Sequence, residues 1–121
     1  MAKSVLLVED NDFVAKLYKS CLETLGVQIL HAKNGPDALQ LAQDNLPSVI
    51  VMDIMLPGMS GIDITKALKA DERTRALPVI AVTTLAMAGD LDRIREAGAD
   101  AYLSKPINVE GFVNAVKGYL S

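Results

Sequence analysis

The sequence is poor in the residues on which several classes of small protein depend. It has a single cysteine, Cys21, which excludes an internal disulfide and a cysteine-based zinc site. With only 8 glycines and 5 prolines in 121 residues, of which half are hydrophobic, the chain is neither collagen-like nor disordered. We therefore expect one ordinary globular domain over residues 1–121.

Long hydrophobic runs and clusters of positive charge are also missing. No apolar run approaches the ~20 residues of a membrane span, and residues 5–8 are too short for the core of a signal peptide. The 12 basic and 15 acidic side chains leave a net charge of −3, and the basic ones are scattered. We expect a cytoplasmic protein that binds neither nucleic acid nor a membrane.

Short apolar runs alternate five times with longer amphipathic stretches, which predicts a (βα)5 chain. The predicted strands are residues 5–8, 27–31, 49–53, 78–83 and 101–104. The first helix is predicted to end at Gly26 and to turn one apolar face inward. That face consists of Phe13, Val14, Leu17, Tyr18, Cys21, Leu22 and Leu25.

The other four helices have recognisable ends. The second opens at residues 34–36, turns Leu39, Ala42 and Leu46 inward and stops before Pro47. The third follows a Pro57-Gly58 turn and begins in residues 60–63, which resemble a capping box. The fourth covers about residues 87–97, and Asn108 caps the fifth.

Differences in polarity between the strands predict their order in the sheet. Strands one, three and four are unbroken apolar runs, as expected where helices cover both faces of a parallel sheet. Strands two and five are mixed and belong at the edges. Right-handed crossovers then favour the order 2-1-3-4-5, a doubly wound, flavodoxin-like α/β fold that binds ligands outside the carboxyl ends of its strands.

Polar side chains stand at those strand ends. Glu9 and Asp10 follow the first strand, Asp53 ends the third, Thr83 ends the fourth and Lys105 follows the fifth. Three crowded carboxylates repel one another unless a cation joins them, and an all-oxygen set suits Mg²⁺ or Mn²⁺. With one divalent ion and the lysine the formal charges sum to zero.

A carboxylate beside a divalent metal, a lysine and a hydroxyl can accept a phosphoryl group, because that reaction requires mainly positioning and charge neutralisation. Asp53 would be the nucleophile, with Lys105 and Thr83 stabilising the remaining charge. Each residue also has an ordinary explanation. Residues 10–12 are typical helix caps, Thr83 a typical strand residue and Lys105 a typical loop charge, so only their coincidence is informative.

These motifs resemble the receiver domain of two-component response regulators. The likeness runs from Val5 to Leu120 and is carried by residues 7–11, 52–61, 78–83 and 98–106. It implies a phosphorylation-switched protein that is not an enzyme toward other molecules and catalyses only its own phosphorylation and dephosphorylation. Residues 89–90, 94–98 and 104–107 look particularly like the stand-alone regulators of bacterial cell division.

The resemblance also implies a role for each site residue. Asp53 would take its phosphoryl group from a histidine kinase or histidine phosphotransfer protein. Asp10, Asp53 and the carbonyl of Met55 would bind Mg²⁺, with Glu9 supporting through water. Thr83 would be the switch hydroxyl and Tyr102 the aromatic that turns inward behind it, and the Lys105-Pro106 bond would be cis.

The output would then be a change of surface. We expect a phosphorylation-dependent binding site for a downstream regulator protein on the fourth helix, fifth strand and fifth helix, in a protein that is a monomer or dimerises when phosphorylated. We also expect a long-lived phosphorylated state, because neither Met55 nor Leu85 can orient an attacking water.

Two other functions fit the predicted fold. One is a small flavodoxin-like FMN electron carrier, although the first loop is acidic and there is no Trp to stack on a flavin. The other is an inactive receiver that acts only as a binding module. Cys21 and His31 are interpreted as structural, because neither has a metal-binding or catalytic companion nearby in the sequence.

Overall fold

The computed structural model describes residues 3–56, 58–84 and 88–120, except for the side chain of Ala88. It contains five strands and five α-helices in strict alternation. The strands are β1 (Ser4–Val8), β2 (Gln28–Ala32), β3 (Val49–Asp53), β4 (Val79–Thr83) and β5 (Ala101–Ser104). The helices are α1 (Asp12–Leu22), α2 (Gly35–Asn45), α3 (Gly61–Ala70), α4 (Ala88–Ala97) and α5 (Val109–Gly118), with a 3₁₀ turn over Glu23–Leu25.

The strands form one parallel sheet in the order β2-β1-β3-β4-β5, which confirms the predicted fold and strand order. Every residue of β3 and β4 is buried, whereas the edge strands β2 and β5 are partly exposed. The apolar runs therefore became the centre of the sheet because both of their faces are covered.

Two hydrophobic layers hold the helices on the sheet. On one face, α1 and α5 pack against β1, β3 and β4. There the rings of Tyr18 and Phe112 lie 5.1 Å apart. On the other face α2, α3 and α4 bury Ala38, Ile64 and Ile94 among others. Both layers meet the same strands, so the positions of the strand ends are fixed from two sides.

Most predicted helix ends are confirmed. The side chains of Asn11, Asn34, Ser60 and Asn108 each accept a hydrogen bond from a backbone amide three residues later. After α1 the chain turns at Gly26, whose φ of 66° is left-handed. The predicted starting residue of α4, Met87, and Pro57 of the predicted turn lie outside the described residues.

The predicted inward face of α1 was too wide. Phe13 is 70% exposed and Leu17 50% exposed, whereas Ala15, Tyr18 and Leu22 are buried. At about 100° per residue, Phe13 lies about 180° and Leu17 about 140° around the helix from Leu22. The seven apolar positions span half of the circumference, and the sheet covers only the part centred on Tyr18.

The prediction that Leu46 packs inward was also wrong. Its side chain is 56% exposed. The helix α2 ends at Asn45, and Leu46 takes a left-handed backbone conformation with φ of 45° as it turns the chain toward Pro47. A residue that leaves the helical conformation no longer follows the helical period, so the spacing from Ala42 did not predict its direction.

Candidate functional site

Three carboxylates meet at the carboxyl edge of the sheet, as predicted. Glu9 and Asp10 follow β1, and Asp53 is the last residue of the adjacent strand β3. One oxygen from each lies within 4.8 Å of the other two. Glu9 and Asp53 are buried and Asp10 is exposed, so the cluster forms a pocket with one open side.

The turn after β1 directs both acidic side chains to the site. The backbone amide of Glu9 donates to the carbonyl of Ala32 at 3.0 Å, which extends the sheet ladder one residue beyond β1. The amide of Asn11 donates to Glu9 Oε1 at 3.1 Å. Asn11, rather than Asp10, caps α1 by accepting from the amide of Val14 at 3.0 Å. The Asp10 carboxylate is therefore not used as the helix cap.

Asp53 is held from its own strand and from α3. The amide of Met55 donates to Asp53 Oδ1 at 3.0 Å. Gly61, the first residue of α3, donates its amide to the carbonyl of Ile54 at 3.1 Å. A Cβ at position 61 would lie 2.7 Å from the Cα of Ile54 and closer still to the carbonyl oxygen of Asp53. The helix reaches the site this closely only because residue 61 has no side chain.

Lys105 crosses from the far edge of the sheet to the acidic cluster. Its ammonium Nζ lies 3.5 Å from Asp53 Oδ1 and 4.0 Å from Glu9 Oε2. Its backbone amide donates to the carbonyl of Thr83 at 2.9 Å, and the Lys105-Pro106 bond is cis, as the resemblance implied. The ordinary interpretation of Lys105 as a solvated loop charge is therefore wrong.

Burial changes the acid chemistry of Glu9. Removal from water, with the nearby charge of Asp53 adding to it, raises the pKa of Glu9 to about 7 from 4.5. The oxygen Oε2 is buried and has no hydrogen-bond partner among the described residues. With all three carboxylates ionised, as cation binding requires, the carboxylates and Lys105 sum to −3 + 1 = −2. One divalent cation would balance that charge, and the all-oxygen donor set fits Mg²⁺ or Mn²⁺.

The structure places the remaining predicted residues differently from one another. Thr83, the last residue of β4, is fully buried, and Thr84 is exposed. The side chain of Met55 is 57% exposed at the site. Tyr102 lies on the edge strand β5 and is 44% exposed. Leu85 lies outside the described residues.

Sequence reasoning missed one contact of the site. The ring nitrogen Nε2 of His31, on β2, lies 2.8 Å from the backbone carbonyl oxygen of Glu9. The predicted strand order places His31 on the strand beside β1. A search for side chains next to Glu9 on the neighbouring strand could therefore have found it, whereas a search for metal-ligand spacing along the sequence could not.

Fold and site together define a class of protein. A parallel 2-1-3-4-5 sheet with three carboxylates and a lysine at its carboxyl edge is the arrangement of a response-regulator receiver. The family model described as "Response regulator receiver domain" matches residues 5–117. The chain belongs to this family, and a flavin carrier is not favoured.

Individual relatives and solved structures agree with that assignment. The polar-differentiation response regulator DivK of Brucella anthropi is 48% identical over 120 residues, which are 99% of this chain and 98% of DivK. The receiver domain of the sensor histidine kinase PA1611 from Pseudomonas aeruginosa superposes with a TM-score of 0.89 at 29% identity. That alignment covers 99% of this chain and 98% of the PA1611 chain.

A second structural match has the same topology. The Vibrio cholerae chemotaxis protein CheY4 gives a TM-score of 0.91 at 25% identity, over 98% of this chain and 99% of the other. Among the described residues, none of the helices has the length and apolar character needed to span a bilayer.

Proposed function

We propose that Asp53 accepts a phosphoryl group from a histidine kinase or a histidine phosphotransfer protein, in a reaction that requires Mg²⁺ or Mn²⁺. The observation that carries this proposal is the convergence of Asp53 with Glu9, Asp10 and Lys105 in one pocket. Phosphoryl transfer depends mainly on positioning and on neutralising charge, and this set of residues supplies both.

The cation would be held by Asp10, Asp53 and the carbonyl of Met55, with Glu9 acting through water. The oxygen Glu9 Oε2, which has no hydrogen-bond partner among the described residues, and the all-oxygen donor set support this assignment. The structure of the PA1611 receiver, which has a magnesium ion coordinated in its active-site cleft, supports the choice of ion. When bound, the ion would neutralise phosphoryl oxygens and draw them toward Asp53.

In the proposed step an oxygen of Asp53 attacks phosphorus while the bond from phosphorus to the donor's histidine nitrogen breaks. The electron pair of that bond stays on the imidazole, and the product is an aspartyl phosphate. The ammonium Nζ of Lys105 lies 3.5 Å from Asp53 Oδ1. It is therefore close enough to pair with the carboxylate before the transfer and with the phosphoryl oxygens after it. The chain would act on no other molecule.

We further propose that α1 presents the docking face for the phosphodonor. The helix α1 follows the acidic loop, residues 9–11, and exposes Phe13 and Leu17. These two side chains line a shallow groove with Lys16 and Ser20. Large exposed apolar side chains beside a reactive group are typical of a protein-binding surface. A donor that covers them would bring its histidine close to Asp53.

Phosphorylation would change the surface formed by α4, β5 and α5. Thr83 would move its hydroxyl onto the phosphoryl group, and Tyr102 would turn inward behind it, which would change the surface offered to a downstream regulator protein. The 44% exposure of Tyr102 and the groove that it forms with Leu91, Ile94 and Arg95 support this choice. The protein would act as a monomer or as a dimer formed on phosphorylation.

The similarity to DivK supports a cellular role as well. Relatives that are 48% identical over nearly the whole chain are named for polar differentiation. We propose that this protein serves the control of cell division or polarity in the cytoplasm, where a response regulator would meet the catalytic part of its kinase.

Intact-mass measurement after incubation with Mg²⁺ and a small acyl phosphate tests the proposed chemistry. We expect the wild-type protein to gain one phosphoryl group, and to gain none when EDTA replaces Mg²⁺. Asp53→Asn, which keeps the shape of the side chain, should gain none under either condition. An equal gain in Asp53→Asn, or no gain in the wild type, would contradict the proposal and favour a binding module that is not phosphorylated.

A further inference from the structure

The backbone carbonyl of Glu9 lies just after the end of β1, where the acidic loop begins. In the β1–β2 ladder, Leu7 is opposite His31 and Val8 is opposite Ala32. The ladder ends with the amide of Glu9 donating to Ala32. The carbonyl of Glu9 comes next, and His31 Nε2 lies 2.8 Å from its oxygen.

Only one direction is possible for the hydrogen bond between His31 and Glu9. A carbonyl oxygen can accept a hydrogen bond but cannot donate one, so Nε2 of His31 must carry the proton. His31 is half-buried and lies on the α1 side of the sheet, since the adjacent Ala32 packs in the opposite layer. The ring therefore reaches the start of the loop from the neighbouring strand.

The contact lies at a peptide bond that matters for the site. The carbonyl of Glu9 belongs to the planar peptide unit that joins Glu9 to Asp10. Holding that oxygen sets the rotation of the unit, and this rotation sets the direction in which the Asp10 side chain leaves the backbone. Asp10 is the exposed member of the acidic cluster.

We propose that His31 is a positioning residue of the acidic site, which fixes the Glu9–Asp10 peptide by donating from Nε2 to the Glu9 carbonyl and so holds Asp10 where the three carboxylates meet. This inference rests on the proposed function, because it assumes that the cluster binds a divalent cation. It assigns His31 neither a ligand role nor a part in phosphotransfer.

The experiment compares two variants of His31. His31→Gln keeps an N–H donor at a similar reach, and His31→Leu removes the donor and puts an apolar side chain of moderate size in place of the ring. We expect the Kd for Mg²⁺, measured from amide NMR shifts of the unphosphorylated protein, to rise about fivefold in His31→Leu, the factor for one ordinary hydrogen bond. In His31→Gln it should stay close to the wild-type value.

An ion pair between the residue that follows β2 and the first residue of α1 supplies the control. Lys33 Nζ lies 2.7 Å from an Asp12 oxygen, and both side chains are more than half exposed. Such a pair is weak in water, and losing its positive charge favours a nearby cation. Lys33→Gln should leave the Kd for Mg²⁺ unchanged or slightly lower, opposite in sign to His31→Leu.

The outcomes separate the two proposals. Wild-type protein whose amide shifts show no saturable Mg²⁺ binding would overturn the proposed function itself. If the wild type binds Mg²⁺ and His31→Leu binds it equally well, the positioning role is wrong. A loss in His31→Gln as large as in His31→Leu would show that the donor is not what matters.

A measurement on the wild type covers the case in which His31→Leu does not fold. His31 is the only histidine in the sequence, so its ring nitrogens can be assigned without ambiguity by long-range ¹H–¹⁵N NMR. We expect the neutral ring to carry its proton on Nε2. A neutral ring protonated on Nδ1 could not donate from Nε2 to the Glu9 carbonyl, and this result would overturn the inference.

Discussion

At the scale of single residues, burial changes the acid strength of Glu9. Burial, together with the charge of Asp53, raises its pKa to about 7, and the hydrogen bond from the Asn11 amide and the charge of Lys105 offset this only in part. Near neutral pH the metal-free protein therefore holds a proton on Glu9 in part of the population. A divalent cation would compete with that proton.

The raised pKa predicts how the stability of the metal-free protein depends on pH. A carboxyl group whose pKa is higher in the folded state stabilises that state below its ordinary value of 4.5, and this stabilisation is lost as the pH rises through about 7. In EDTA, we expect the free energy of unfolding to fall between pH 5 and 8 more steeply for the wild type than for Glu9→Gln. Urea denaturation measures both slopes, and parallel slopes would contradict the account.

Met55 governs a second residue-scale prediction, the lifetime of the phosphorylated state. Its exposed thioether, two residues after Asp53, has no group that can hold an attacking water in line with phosphorus. We expect an aspartyl phosphate that lasts far longer than seconds without a phosphatase. Met55→Asn should speed its loss by roughly threefold or more, because an amide can orient water.

Loss of label from the isolated phosphoprotein measures that lifetime. The control is Met55→Leu, which changes the shape of the side chain without adding a polar group and should leave the rate close to wild type. Equal rates in the Asn and Leu variants, or a wild-type half-life of seconds, would show that position 55 does not limit hydrolysis.

At the scale of elements, the close approach of α3 to β3 sets the position of Asp53. Gly61→Ala would place a methyl group against the backbone of Asp53 and Ile54, where rigid backbone cannot yield easily. We expect this change to cost about 1–3 kcal/mol in free energy of unfolding and to slow phosphorylation by a small acyl phosphate. Chemical denaturation and the rate of mass gain measure the two effects.

Gly118→Ala is the matched control for that substitution. Among the described residues, no atom outside the local helix backbone lies within 4 Å of a Cβ at position 118, at the end of α5. The change should alter stability by less than about 1 kcal/mol and leave the phosphorylation rate unchanged. If Gly61→Ala behaved like Gly118→Ala, the contact between α3 and β3 would not determine the placement of Asp53.

The second prediction at this scale concerns the exposed face of α1, which contains Phe13 and Leu17. Replacing Phe13 and Leu17 together by Ala should slow phosphotransfer from the cognate histidine phosphodonor by about tenfold or more, the cost of losing a well-packed contact. Phosphorylation by a small acyl phosphate should be unchanged, because that donor needs no docking surface.

Leu46 supplies the control for α1, since it is a comparably exposed apolar residue at the end of α2. Leu46→Ala should leave both reactions at the wild-type rate. A double variant of Phe13 and Leu17 that accepts phosphate from the protein donor at full rate would place the docking face elsewhere.

At the scale of the whole molecule, the fold could be predicted because strand polarity and topology constrain each other. The unbroken apolar runs of strands one, three and four indicate the centre of the sheet, and right-handed crossovers then favour the order that the structure has. The direction of Phe13, Leu17 and Leu46 could not be predicted. An apolar pattern shows which residues avoid water on average, but not how much of a helix its neighbours cover.

The site, like the fold, could be predicted only in part from the sequence. Topology alone brought Glu9, Asp10, Asp53 and Lys105 to one edge of the sheet, so the chemistry could be predicted from the strand ends. The contact of His31 with the Glu9 carbonyl does not follow from the strand ends, because it joins a side chain within β2 to a backbone group; only a search of the neighbouring strand would indicate it. Residue types along a sequence do not show which carbonyl a ring will reach.

Asp53 is the one carboxylate of the site that we expect to accept the phosphoryl group. Borohydride reduction of the phosphorylated protein, followed by peptide mapping, tests this directly, because an aspartyl phosphate is reduced to homoserine. We predict homoserine at position 53 in the wild-type protein treated with Mg²⁺ and phosphodonor, and none in the sample treated with EDTA. Homoserine at position 10 or 12 instead, or at no position, would contradict the account.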